Sequence, residues 1–274
     1  MLSRRNFLAV SAATFAVPAL ASAGEGLKLA FIPQENPEKL LGDIKVVTGW
    51  LSERMGMPVT GFVTFDHAAA VEALRHGDAD ISFMGALPFV LAEDQIGAVP
   101  LLSEVYRGQP SYAGRVFVRK DSGIETLADL KGRDIAFADP VSESGYLYPL
   151  DLFVREGLFA DAADADNFFG RKFFAGGYQQ AMQAMANGLV DAAGASQYAK
   201  VLAESEQIPS HAVVARPGLD KGVQAKFVET MLQLNEPGNR HLLAYLYGPD
   251  GYIAADRDVY EGVRETARHY GYLK

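Results

Sequence analysis

The sequence predicts an α/β protein built from two similar lobes, and three observations carry that prediction. From Gly26 onward, short apolar runs alternate with longer stretches of helical periodicity, the signature of a mostly parallel sheet covered by helices. The segment "AVEALRHGDADISFMG" (70–85) aligns without gaps on "AMQAMANGLVDAAGAS" (181–196). Alanine recurs at 70/181 and 73/184, glycine at 77/188 and aspartate at 80/191. Such identities also arise by chance between alanine-rich helices, and the offset of 111 residues is far too long for a solenoid, but it suits two lobes. Finally, 274 residues that are 49% hydrophobic can bury a substantial core, and no low-complexity linker or charge block divides them.

The elements follow in order. "LKLAFIP" reads as a first strand broken by Pro33, and "LLGDIKVVTGWLSERMG" as a helix stopped by Gly56. "PVTGFVTF" is a second strand, "HAAAVEALRHG" a helix ended by Gly77, and "ADISFMG" a third strand. "GRVFVRK" opens the next segment, with "ETLADLKG" as helix and "RDIAFAD" as strand. "RETARHYGYL" reads as an amphipathic terminal helix. Ligands of such sheets bind outside the carboxyl ends of the strands. The repeat then pairs His67 with Tyr178 at two helix starts, and Gly85 with Ser196 at two strand ends.

The first 23 residues read as an export signal. "SRRNFL" supplies paired arginines of twin-arginine type, "LAVSAATFAVPALA" a short apolar region, and "ASA" a cleavage site ending at Ala23. A membrane anchor needs roughly 18 or more apolar residues, a longer run than this one. Removal of Arg4 and Arg5, with no acidic residue, takes the formal charge from −9 to −11. That balance argues against nucleic acid or an anionic membrane as partner. Cys 0 excludes disulfides, thiol catalysis and thiolate metal sites.

The stretch "IAFADPVSESGYLYP" (135–149) leaves an apolar strand through Asp139-Pro140 and presents Ser142, Ser144 and Gly145 together. Pro140 stops the ladder, and either serine can cap a helix running through "GYLYPLDLFVREG". A helix start leaves N–H groups without internal partners and carries partial positive charge, so the cluster fits a small oxyanion. The plain alternative is a serine that only caps. Pro149 sits a turn into that helix, where it is tolerated only near the start.

These residues, with "LADLKGRDIAF", "AAAVEALRHGDADISFMGALPFVLAE", "YQQAMQAMANGLVDAAGAS" and the C-terminal "GPDGYIAADRDVYEGVRETARHYGYL", resemble the periplasmic phosphate, phosphite and phosphonate binding proteins of ABC transporters. The resemblance implies a type II periplasmic binding protein fold, two α/β lobes with a ligand cleft between them. Lobe 1 takes 24–113 and 214–274, and lobe 2 takes 114–213. It also implies that Ser142, Ser144, Gly145 and Tyr146 hold an oxyanion. Several positions depart from the relatives: His67 and Tyr178 stand where tyrosine and histidine are common, Phe89 lacks a hydroxyl, and Ser196 replaces an aspartate. The last change weakens the case for an aminophosphonate, because a carboxylate there would accept from an amine. A related group of arsenite sensors relies on a cysteine that this chain lacks.

His67 is either a solvated residue at a helix start or, as imidazolium, an anion ligand. Tyr178 either donates from its phenol or packs. Gln34 suits an anion-facing loop better than Glu35, and Tyr112, flanked by Arg107 and Arg115, sits at the crossing between lobes. Phe83, Met84 and Phe89 either wall the cleft or belong to the core.

The expectation is a non-enzymatic, periplasmic, monomeric protein without cofactor or metal, which closes on a small oxyanion and presents it to an ABC permease. A sensor histidine kinase is the alternative partner. A hydrolase is disfavoured because no G-x-S-x-G elbow or H-E-x-x-H pair occurs.

Overall fold

Each of the two sheets pairs its strands in parallel at one edge and antiparallel toward the other. The computed structural model describes residues 26–33, 37–195 and 200–274. The export signal and the candidates Gln34 and Ser196 lie outside the described residues.

The chain runs through β1 (Leu27–Phe31), α1 (Pro37–Met55), β2 (Val59–Val63), α2 (His67–His76), β3 (Ile81–Met84), α3 (Ala86–Ile96) and β4 (Val99–Val105). It continues through β5 (Ser111–Val118), β6 (Ile135–Phe137), α4 (Tyr148–Arg155), α5 (Ala165–Phe168), β7 (Lys172–Phe174), α6 (Tyr178–Ala186), β8 (Ala192–Ala195) and β9 (Lys200–Pro209). It ends with β10 (Ala212–Ala215), α7 (Lys221–Leu232), β11 (Gly251–Ala254) and α8 (Glu261–His269). The expected helix at "ETLADLKG" is instead a single 3₁₀ turn, Leu127–Leu130. Thr126 and Asp129 cap it reciprocally, and the chain leaves the turn at Lys131.

The six-stranded sheet has the order β11-β4-β10-β3-β1-β2, and the five-stranded sheet β7-β6-β8-β5-β9. In the first, β1 pairs in parallel with β2 and β3, and β10 enters antiparallel beside β3. In the second, β6 pairs in parallel with β7 and β8, and β5 enters antiparallel beside β8. The chain crosses between the sheets after β4 and returns through Ser210 and His211.

The repeated aspartates hold equivalent places. Asp80 accepts the Lys28 N–H at the start of β1 at 3.0 Å, and Asp191 accepts the Asp134 N–H before β6 at 3.1 Å. The repeated glycines, Gly77 and Gly188, both take the left-handed conformation that ends a helix, with φ of 75° and 72°.

Both faces of each sheet are buried, as helix-covered strands require. In β1, Leu29 and Phe31 face one core cluster and Ala30 the other; in β6, Ile135 and Phe137 face away from Ala136. Phe31 and Phe83 stack at 4.5 Å. The C-terminal helix α8 packs on α3, with Tyr260, Val263 and Ala267 in the same cluster as Phe89. Beyond it, the Tyr270 hydroxyl reaches Asp151 at 2.8 Å and the Tyr272 hydroxyl reaches the Pro140 carbonyl at 2.6 Å.

Candidate functional site

The site is assembled where the carboxyl ends of the two parallel strand sets face each other. In the second sheet the chain leaves β6 and turns at Asp139, whose carboxylate accepts the Val141 N–H at 2.7 Å. Ser142 then adopts an extended conformation and its Oγ accepts the Gly145 N–H at 3.1 Å, so it does cap a helix. That helix opens with a π turn, Glu143–Leu147, in which the Tyr146 and Leu147 N–H groups both reach the Ser142 carbonyl at 3.1 Å. The wider turn moves the start of α4 to Tyr148. Pro149 thereby falls in the first turn of α4, and the Gly145 carbonyl that a helical N–H there would reach accepts the Ala138 N–H at 3.0 Å instead.

Tyr178 at the start of α6 covers the cluster. Its hydroxyl lies 3.1 Å from Ser142 Oγ and 2.8 Å from Ser144 Oγ, and both serines are fully buried. Gly145 permits this approach, because a Cβ there would stand 3.1 Å from the Tyr178 ring and 2.5 Å from Ala138 Cβ. Burial, with the nearby Glu143 charge, pushes the Tyr178 phenol far above the usual tyrosine range. It therefore stays a protonated donor at neutral pH.

Sequence reasoning missed Glu143, the residue between the two serines. It is fully buried. Its carboxylate accepts the Tyr112 hydroxyl at 2.5 Å and the Leu87 N–H of α3 at 3.4 Å, and lies 3.9 Å from His211 Nε2. His211, also missed, sits in the return crossing and bonds Glu104 through Nδ1 at 3.0 Å. Burial drives the His211 imidazole down, but the charge and hydrogen bond of Glu104 and the charge of Glu143 together raise it. Burial is also the leading cause at Tyr112, whose phenol rises well above its usual range with Glu143 contributing. A signal for Glu143 existed only in its position inside the hydroxyl run, since its charge alone points to solvent.

His67 opens α2 as expected, behind an Asp66 cap that accepts the Ala69 N–H at 2.7 Å. It is buried and not solvated. Burial lowers its imidazole, against the opposing charges of Asp139 and Glu143. Its Nδ1, like Glu104 Oε1 and Ser210 Oγ, is buried with no hydrogen-bond partner among the described residues.

The structure thus brings Ser142, Ser144, Gly145, Tyr178, Tyr112 and His67 together. Tyr146 does not join them: its ring packs on Phe137 and Phe174 at 5.0 and 4.8 Å in the core of the second lobe. Phe83, Met84 and Phe89 are fully buried core residues. Arg115 pairs with Glu204 at 2.7 Å, and Arg107 lies over the Tyr106 ring. Between the two sheets, above Tyr112 and Tyr178, opens a cavity of about 850 Å³ whose walls include Glu104, Met182, His211 and Tyr247. Among the described residues no group of three or more His, Asp or Glu side chains is placed to hold a metal ion.

The profile of a known family, described as "ABC transporter, phosphonate, periplasmic substrate-binding protein", matches residues 29–260. The chain belongs to this family. A curated relative, the phosphate-import protein PhnD of Mycolicibacterium smegmatis, is 32% identical over 173 residues. That match covers 61% of this chain and 54% of the relative, so the chain spans about half the length of the relative it matches. Among solved structures, a binding protein component of an ABC phosphonate transporter from Pseudomonas aeruginosa superposes with a TM-score of 0.77 at 22% identity, covering 89% of this chain and 86% of that one. A PhnD protein of Prochlorococcus marinus in complex with methylphosphonate gives a TM-score of 0.77 at 17% identity, covering 89% and 97%. At these identities the structures establish the fold, the type II periplasmic binding protein fold, which the phosphonate-binding family shares.

Proposed function

We propose that this member of the phosphonate-binding family is an exported, non-enzymatic protein that captures a phosphonate-, phosphite- or phosphate-like oxyanion between its lobes and delivers it to an ABC permease. One observation carries the reading: the hydroxyls of Tyr112, Tyr178, Ser142 and Ser144, all from the lobe of the five-stranded sheet, converge with helix starts of both lobes at the inter-sheet cleft. Protonated hydroxyls and helix N-termini are the groups that hold small oxyanions. His67 completes the donor set from α2, and Gln34 and Ser196 belong to it as expectations. Tyr146 contributes its backbone turn, its ring being committed to the core.

The adjoining cavity gives such a ligand room for an organic substituent. Its volume falls within the roughly 300–1,000 Å³ typical of small-molecule pockets. The lobes close as units about the two crossing segments; the expected bounds, 24–113 with 214–274 and 114–213, shift so that β5 falls in the second lobe from Ser111 and β10 (Ala212–Ala215) falls wholly in the first. Export to the periplasm follows the signal ending near Ala23, and family membership favours a permease over a sensor kinase as the partner.

The reading is tested by calorimetric titration of the protein with phosphate, phosphite, methylphosphonate, sulfate, arsenate and arsenite. Saturable binding of at least one phosphorus oxyanion, with no product formed, is the expected result. Absence of binding to all of them, or turnover of a phosphate ester, would remove it.

A further inference from the structure

Glu143 lies inside the serine run, yet its charged end crosses the cleft to the other lobe. One carboxylate oxygen accepts the Leu87 N–H in the first turn of α3 at 3.4 Å. The second accepts the Tyr112 hydroxyl, from β5 of its own lobe, at 2.5 Å and stands 3.9 Å from His211 Nε2 in the return crossing. The group lies against Gly85, where a Cβ would be 2.5 and 2.6 Å from its two oxygens. Gly85 has no side chain with which to cap α3, so the cap comes from the opposite lobe. A helix start, a phenol hydroxyl and an imidazole are what a free oxyanion needs, and here a carboxylate takes them. His67 adds a second sign of anion chemistry: its ring feels the charge of both Glu143 and His211, and its buried Nδ1 has no partner among the described residues.

We infer that Glu143 is a tethered anion, which occupies the oxyanion position at the start of α3, clasps the second lobe to the first, and is expelled from that position when ligand binds. The inference rests on the oxyanion reading of the cleft. Glu143 is then a determinant of affinity and selectivity: an incoming anion competes with a group that is always present and of the same sign. Only ligands that use the cradle better than a carboxylate does displace it, and the competent fraction of sites falls accordingly.

The test compares the protein with E143S, E143Q and G85A, each checked for folding by circular dichroism and thermal melting. Calorimetry with phosphate, phosphite and methylphosphonate is expected to show E143S or the near-isosteric E143Q binding at least one anion about tenfold tighter than the unaltered protein. Gly85 has φ of −67°, ordinary for alanine, so G85A folds while its methyl blocks the position to carboxylate and ligand alike; it is expected to show no gain. Equal or weaker binding by both Glu143 variants overturns the inference. If no anion binds any of the proteins, the oxyanion reading fails separately. Small-angle scattering without ligand then decides the tether: a larger radius of gyration for E143S supports it, and an unchanged radius overturns it.

Discussion

The Tyr178 hydroxyl stands 2.8 Å from Ser144 Oγ, and this single bond decides how the serine cluster meets the cleft. The serines do not face the cavity directly; the phenol is interposed and relays their hydrogen bonds to it. Tyr178→Phe leaves two buried hydroxyls without that partner and is expected to lower the unfolding free energy by about 1–3 kcal/mol in urea titrations. A spectrophotometric titration of the variant loses one phenol that ionises late.

Ser144→Ala is expected to weaken oxyanion binding by roughly 1–3 kcal/mol, since the Tyr178 hydroxyl loses its shorter hydrogen-bond partner and the anion a hydroxyl that supports it. The measurement is the calorimetric Kd of the two proteins for the same anion. Unchanged affinity would take Ser144 out of the site.

The repeated aspartates act on stability, not on ligand. Asp80 accepts both the Lys28 N–H and Arg216 Nε, the latter at 2.9 Å, while the ion pair of Asp191 with Arg133 is looser at 3.6 Å. Asp80→Ala is therefore expected to cost about 2–3 kcal/mol and Asp191→Ala about 1–2 kcal/mol, in proportion to the charge-assisted bonds lost. The sole tryptophan, Trp50 in α1, reports the unfolding of the first lobe.

What was legible in the sequence was periodic or local. The 70–85 and 181–196 correspondence suggested two similar α/β lobes, and Ser142 was recognisable as a cap. The π turn was not, because an extra residue in a helical turn leaves hydrophobic spacing nearly intact; it was visible only as the misfit of Pro149. Glu143 was illegible because every group that buries it comes from elsewhere: Tyr112 is 31 residues away and Leu87 is 56. Tyr146 was misplaced for a related reason. One residue of rotation at a helix start sends a ring either to the cleft or to the core. Strand β9 carries mixed polar and apolar residues along an edge, so alternation did not announce it.

His67 and His211 are expected to titrate on opposite sides of about 6.5, the usual histidine value, His67 below it and His211 above. His211 is raised, so its stabilisation is fully present below 6.5 and fades as pH rises through its folded value. His67 is lowered, so the unfolded chain takes up its proton first and stability falls as pH drops below 6.5. His211→Gln should therefore lose most relative to the unaltered protein in acid, whereas His67→Gln should gain there. Urea titrations across pH 5–8, with the histidine Cε1–H resonances as a site-resolved check, measure both.

The C-terminal tail joins the two lobes. α8 is held on the first lobe by the ion pair of Arg264 with Glu93, whose Nε–Oε2 contact is 2.8 Å, yet the residues after it reach the second lobe. The Tyr270 hydroxyl donates to Asp151, a buried carboxylate that also bonds Arg155, and the Tyr272 hydroxyl donates to the Pro140 carbonyl beside the serine turn. Burial and the Asp151 charge raise the Tyr270 phenol, which keeps it a donor. Tyr270→Phe is expected to cost about 1–2 kcal/mol, less than a fully buried charged bond because the ring is only partly buried. If the tail straps the lobes together, Tyr270→Phe with Tyr272→Phe also speeds amide exchange at 141–155 in the second lobe, while α3 in the first keeps its protection. Equal loss of protection in both lobes would mean that the tail serves the global fold alone.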